Sequence, residues 1–188
     1  MIILGLDPGT RNFGWAVTRF TDTGFEPLCA GKIVNPVVTM DDTVTQTRTF
    51  LTEIEGIIAK YKPDYIVAER FLNRGRFNGA TGEYVSFMLG VIALYVLKGK
   101  RVKGFHIVHS GTWKTAYNRL SKVKGVLDKT YAYALCEPHE LDAYLLTHFI
   151  HKEVGRGSFS PLKGKPLSKS DIQVFESVAT GKKKRKRK

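Results

Sequence analysis

Apolar residues alternate or run together early in the chain and recur at helical spacing later, and that change of period outlines a fold. Ile2 to Leu6 reads as a strand, followed by the turn chemistry of Asp7-Pro8-Gly9-Thr10. Phe13 to Phe20 and Phe25 to Val34 are further strands, joined through Thr21-Asp22-Thr23-Gly24 into a meander. Asp41 or Asp42 then caps a helix with Val44, Leu51, Ile54, Ile57, Ile58 and Tyr61 on its apolar stripe, and Pro63 stops it. A fourth strand spans Asp64 to Phe71, and a polar loop runs from Leu72 to Ala80. Thr81 caps a second helix that buries Tyr84, Val85, Met88, Val91, Ile92 and Tyr95. After a fifth strand, Phe105 to His109, Ser110 caps a short helix with Trp113, Ala116 and Tyr117 on one side. A lysine-rich connection, a helix around Leu127 to Leu135 and a last helix from Pro138 to about Lys152 complete the pattern. A meander followed by alternating helices and strands predicts an α/β fold, a mixed five-stranded sheet flanked by helices.

Composition narrows the class. The chain has 188 residues with 43% hydrophobic content, enough for one sizeable core. The expected division is a domain over residues 1–154 and a basic extension over 155–188, rich in Gly, Ser, Pro and Lys and mobile at least at its basic end. No apolar run is long enough to span a bilayer, and the start reads as a strand rather than a signal peptide. Cys29 and Cys136 are too few for a disulfide framework, so a soluble protein of a reducing cytoplasm is expected. Net charge is +13; Lys182 to Lys188 supply 7 of it, and 13 less 7 leaves +6 on the rest. A basic body as well as a basic tail points to nucleic acid as partner.

Four ionisable residues then stand out by position. Asp7 follows the run Ile2-Ile3-Leu4-Gly5-Leu6, and Glu69 closes Tyr65-Ile66-Val67-Ala68. His139 and Asp142 lie one turn apart at the head of the last helix. A carboxylate beside a core costs several kcal/mol unless it is solvated, paired or metal-bound. Singly, each has an ordinary reading as a turn residue, a strand-end charge or a helix-terminal group. Jointly, they suit a divalent ion with oxygen ligands, Mg2+ or Mn2+. Two such ions about 4 Å apart activate water and stabilise the leaving oxygen in phosphodiester cleavage.

At this level the chain resembles a known family. Leu4-Gly5-Leu6-Asp7-Pro8-Gly9-Thr10-Arg11-Asn12-Phe13-Gly14-Trp15-Ala16-Val17 resembles the opening of RuvC-type Holliday junction resolvases, of the ribonuclease H-like superfamily. Ile66-Val67-Ala68-Glu69 is similar to that family's second acidic motif, and His139-Glu140-Leu141-Asp142-Ala143-Tyr144-Leu145 to its third. The resemblance covers roughly residues 1 to 152. It implies a homodimer that binds four-way DNA junctions and nicks two strands symmetrically, with Asp7, Glu69, His139 and Asp142 carrying the metal ions. It also implies DNA contacts from Arg11, Asn12, Arg70 and Lys114, with a further lysine drawn from Lys122, Lys124 and Lys129, of which Lys124 is favoured. The family's aromatic wedge after the second acid falls between Phe71 and Leu72. Asn73, Arg74 and Arg76 suit a phosphate-tracking loop, and the Thr81 helix N-terminus suits a phosphate.

Other classes compete. Asp7-Pro8-Gly9-Thr10 also fits the first phosphate loop of the sugar kinase, actin and heat-shock ATPase group, but a second Asp-x-Gly loop is missing. A non-catalytic junction-binding module would not need four intact ligands. A related nuclease for flaps, forks or RNA-containing substrates is the strongest rival. A zinc site from Cys136, His139, His148 and His151 fits spacing alone, without a second cysteine pair.

Overall fold

The computed structural model describes residues 1–9, 11–34, 43–70, 79–99, 102–120 and 138–155. Its strands are β1 (Ile2–Asp7), β2 (Asn12–Thr21), β3 (Gly24–Val34), β4 (Tyr65–Arg70) and β5 (Gly104–His109). Its helices are α1 (Thr43–Tyr61), α2 (Gly79–Lys98), α3 (Ser110–Leu120) and α4 (Pro138–Gly155). The strands form one sheet in the order β3-β2-β1-β4-β5, antiparallel across the meander and parallel from β1 through β4 to β5. The mixed five-stranded sheet flanked by helices is the architecture that the hydrophobic pattern predicts.

Successive side chains on a strand point to opposite faces, and β1 shows the consequence. Leu4 and Leu6 join Phe13, Val17, Ile66, Ala68 and Phe105 in a core that α1 and α2 cover. Ile3 faces the other way, with Ala16, Val67, Val108 and Trp113, beneath Ala143, Leu146 and Ile150 of α4. Asp7 and Glu69 continue the Ile3 and Val67 parity, so their carboxylates emerge on the α4 side.

Two local devices hold the register. At the entry end of the sheet, Asp64 accepts from the Ile2 amide through Oδ2 at 2.8 Å and pairs with Lys103 Nζ through Oδ1 at 2.6 Å. Its own amide donates to Ile2 O and its carbonyl accepts from the Lys103 amide, both at 2.7 Å. One residue thus ties the starts of β1, β4 and β5, and their carboxyl ends finish level. Burial is the largest single influence and would raise the Asp64 carboxyl, but the Lys103 bond, the Ile2 amide and the charges of Lys103 and the N-terminus together hold it below its usual range. Lys62 meanwhile ends α1 in a left-handed conformation, φ 47°, with its amide donating to Ile58 O at 2.9 Å, and Pro63 bars continuation.

The structure corrects some boundaries. α2 begins at Gly79, so Thr81 lies inside its first turn rather than at the cap. Val91 and Tyr95 are half-buried rather than buried, because α2 turns part of its apolar surface outward. α4 runs on to Gly155. The expected Asp41 or Asp42 cap, the helix around Leu127 to Leu135 and the extension after Gly155 lie outside the described residues. Among the described residues, no helix is long and apolar enough to cross a membrane.

Candidate metal centre

Asp7 closes β1 and Glu69 is the next-to-last residue of β4; the last pair between these parallel strands is Leu6 with Ala68, so the two acids stand side by side just beyond it. Crevices at the carboxyl ends of parallel strands are where open α/β sheets bind ligands. The third acid comes from α4, which crosses the sheet unusually close. A Cβ on Gly5 would collide with the Ala143 carbonyl, and one on Gly14 with the backbone of His139. Only glycine lets the helix backbone approach so far. A buried hydrogen bond from Thr147 to Thr18, 2.9 Å between their hydroxyl oxygens, secures the helix further along.

The result is a cluster in which carboxylate oxygens of Asp7, Glu69 and Asp142 all lie within 4.8 Å of one another. His139 meets the cluster through Asp7, its Nδ1 lying 2.5 Å from Asp7 Oδ2. From α3, the Trp113 indole Nε1 donates to Glu69 Oε2 at 2.9 Å. Lys114, the next residue, sets its ammonium 2.8 Å from Asp142 Oδ2 and 3.7 Å from Glu69 Oε2.

The electrostatics are those of a site short of positive charge. Burial, reinforced by the charge of Asp142, raises the Asp7 carboxyl above its usual range although His139 and Lys114 pull the other way. Burial and then the Asp7 charge likewise raise Glu69, against Lys114 and Trp113. Lys114 is raised too: burial opposes this, but the Asp142 bond and the three carboxylates prevail. Three carboxylates set against one ammonium fit a divalent cation with hard oxygen ligands. Arg11 is exposed beside the site in the β1–β2 turn, Asn12 is half-buried at the start of β2, and Arg70 is exposed at the end of β4. Phe71, Leu72, Asn73, Arg74, Arg76, Lys122, Lys124 and Lys129 lie outside the described residues.

Sequence reasoning placed Trp113 on the apolar side of a helix and missed its bond to Glu69. It also missed Gly5 and Gly14 as the seat of α4, although small residues at 5, 14 and 16 on one face of β1 and β2 were a readable signal. His148 and His151 lie further along α4, against Phe20, and are not part of this cluster.

The family model "Crossover junction endodeoxyribonuclease RuvC" matches residues 3–107, a span with the first two acids and most of every strand. The chain belongs to the RuvC family. A curated RuvC of Heliobacterium modesticaldum is 35% identical over 95 residues, 50% of this chain and 56% of that protein. One of Alkaliphilus oremlandii is 33% identical over 95 residues, 50% of this chain and 55% of the other. The chain thus spans little more than half the length of these relatives. Thermus thermophilus RuvC, solved in complex with a Holliday junction substrate, superposes with a TM-score of 0.64 at 16% identity, covering 86% of this chain and 99% of that one. A yeast mitochondrial Holliday junction resolvase superposes at 0.51 with 13% identity, over 84% and 86%. These likenesses establish the fold. The family match ends before α3 and α4, so the parts played by Trp113, Lys114, His139 and Asp142 rest on geometry.

Proposed function

We propose that this RuvC-family chain is a divalent-metal-dependent endodeoxyribonuclease that resolves four-way DNA junctions by paired symmetric nicks, acting as a homodimer on DNA in the cytoplasm. The observation that carries this reading is the convergence of Asp7, Glu69 and Asp142 within 4.8 Å at the open end of the sheet, with Lys114 beside them. When bound, Mg2+ or Mn2+, two ions to a site, would supply a water nucleophile at neutral pH and stabilise the leaving oxygen. Asp7, Glu69 and Asp142 would hold the ions, with His139 either completing the ligand set or orienting Asp7 through its 2.5 Å bond. Lys114 brings a cation to the place where phosphate must approach a strongly acidic cluster. Arg11, Asn12 and Arg70 border that approach and suit phosphate contacts, which position DNA without reading its sequence. Phe71 or Leu72 would meet the junction beyond Glu69. Asn73, Arg74, Arg76, Lys122, Lys124 and Lys129 would extend the basic track, and the basic tail would add salt-sensitive affinity.

The test is cleavage of an immobile four-way junction against flap, fork and linear duplex, with Mg2+, with Mn2+ and in EDTA. Paired symmetric nicks that vanish in EDTA are expected. The Asp7→Asn protein should cut at least about 100-fold more slowly and bind the junction as well as or better than the parent, because a negative charge near phosphate is gone. Equal or faster cutting of flaps and forks would make it a broader debranching nuclease. Junction binding without cleavage under any metal would leave a binding module.

A further inference from the structure

Glu69 shares one oxygen between two donors of different character, both from α3. Lys114 is half-exposed, carries a full charge and lies 3.7 Å from Oε2. Trp113 is neutral, only 1% exposed, and lies 2.9 Å from the same oxygen. The indole is among the largest fully buried side chains and packs with Val67, Val108 and Tyr144 in the core beneath α4. A ring so enclosed has little freedom, and its N–H points where the core sets it. Phenylalanine or leucine would fill this space with apolar surface alone; the indole also aims a donor at a half-buried carboxylate. A divalent ion among the three carboxylates competes with an ammonium for the same place. It does not compete with a neutral N–H that approaches from the core.

We infer that Trp113 is a positioning residue for Glu69: its N–H holds Oε2 and so aims the carboxylate at Asp7 and Asp142 in the geometry that takes up the metal. This rests on the metal-nuclease reading above. Outer partners that orient a ligand in this way typically contribute roughly 10–100-fold to metal affinity or activity.

The chain has two tryptophans, and the other, Trp15, packs on the opposite face of the sheet with its ring against Gly31. A Trp15→Phe protein therefore carries Trp113 alone. Tryptophan in that protein is replaced by its benzothiophene isostere, which keeps the ring shape and loses only the N–H donor. Thermal stability is followed against Mg2+ and Mn2+. The isostere protein is expected to fold and to need roughly 10–100-fold more Mg2+ for half-maximal stabilisation. In the tryptophan-containing protein, Trp113 emission should change over the same Mg2+ range as the stability. Equal Mg2+ requirements with and without the N–H would overturn the inference and leave the metal site standing. So would an emission that ignores Mg2+ while the melting temperature responds. A protein stabilised by neither metal would sink the metal-site reading itself, and this inference with it.

Discussion

His148 shows how one side chain couples the fold to pH. Its ring lies edge-on to Phe25 and Tyr144, with centroids 4.5 and 4.7 Å apart, and to Phe20 at 5.1 Å. Its Nε2 is buried and has no hydrogen-bond partner among the described residues. Burial, with a smaller contribution from the charge of His151, pushes its pKa down from 6.5 to about 4. His151, stacked on Phe20 with centroids 4.0 Å apart, is lowered by burial and by the N-terminal ammonium of Met1. Below its ordinary value the unfolded chain protonates His148 while the folded chain keeps it neutral. The stability it contributes is therefore full above pH 6.5 and is lost as pH falls through 4. The loss across that window is on the order of 3 kcal/mol. Asp7 and Glu69 act in the opposite sense, since their raised carboxyls become easier to keep buried as they gain protons. A His148→Phe protein isolates the histidine. Urea unfolding at pH 7, 5.5 and 4.5 should show the variant losing clearly less stability on acidification than the parent; parallel losses would assign the acid sensitivity elsewhere.

Among the elements, α4 matters most to the site, and its seat is made of absent side chains. Gly5 and Gly14 allow its backbone to rest on β1 and β2, which brings Asp142 within reach of Asp7 and Glu69. A Gly14→Ala methyl would meet the His139 carbonyl and Cβ, neither of which can swing aside, so the helix must lift. The expected cost is about 1–3 kcal/mol of stability, together with loss of most of the stabilisation by Mg2+, both read from melting curves. Stability lost with Mg2+ stabilisation retained would show that the helix yields without moving Asp142. Much of this layer was legible beforehand. Apolar, β-branched and aromatic runs bounded by turn residues placed β1, β2 and β3, and helical spacing placed α1 and α2. Asp7 and Glu69 stood out because a charge at the end of an apolar strand demands a reason. The glycine seat escaped notice because a missing Cβ leaves no trace in hydrophobic periodicity. The Trp113 donor was hidden because an indole scores as apolar whichever way its N–H points. The start of α2 shifted because the sequence offers Thr81 as a cap, whereas the helix already runs from Gly79.

At the scale of the whole molecule, α2 bears on the homodimer and the paired nicks proposed above. It is apolar around most of its circumference, which is unusual for a helix with one face to solvent. Phe87 and Leu94, seven residues apart, are 49% and 68% exposed, and Gly90 between them has open space where a Cβ would stand. A second copy docking along this strip would bury both side chains and supply the second active site that paired nicks require. Replacing both with glutamate should halve the mass measured by sedimentation equilibrium. It should also separate the two nicks in time, turning resolution into slow, uncoordinated single cuts. An unchanged mass would move the dimer surface elsewhere. The order in which the carboxylates occur along the chain has a different consequence. Asp7 is in the first strand, Glu69 in the fourth, and Asp142 in the last described helix. Asp7 and Glu69 therefore leave the ribosome well before Asp142, and the three-carboxylate cluster closes only when α4 has been translated and has settled on Gly5 and Gly14.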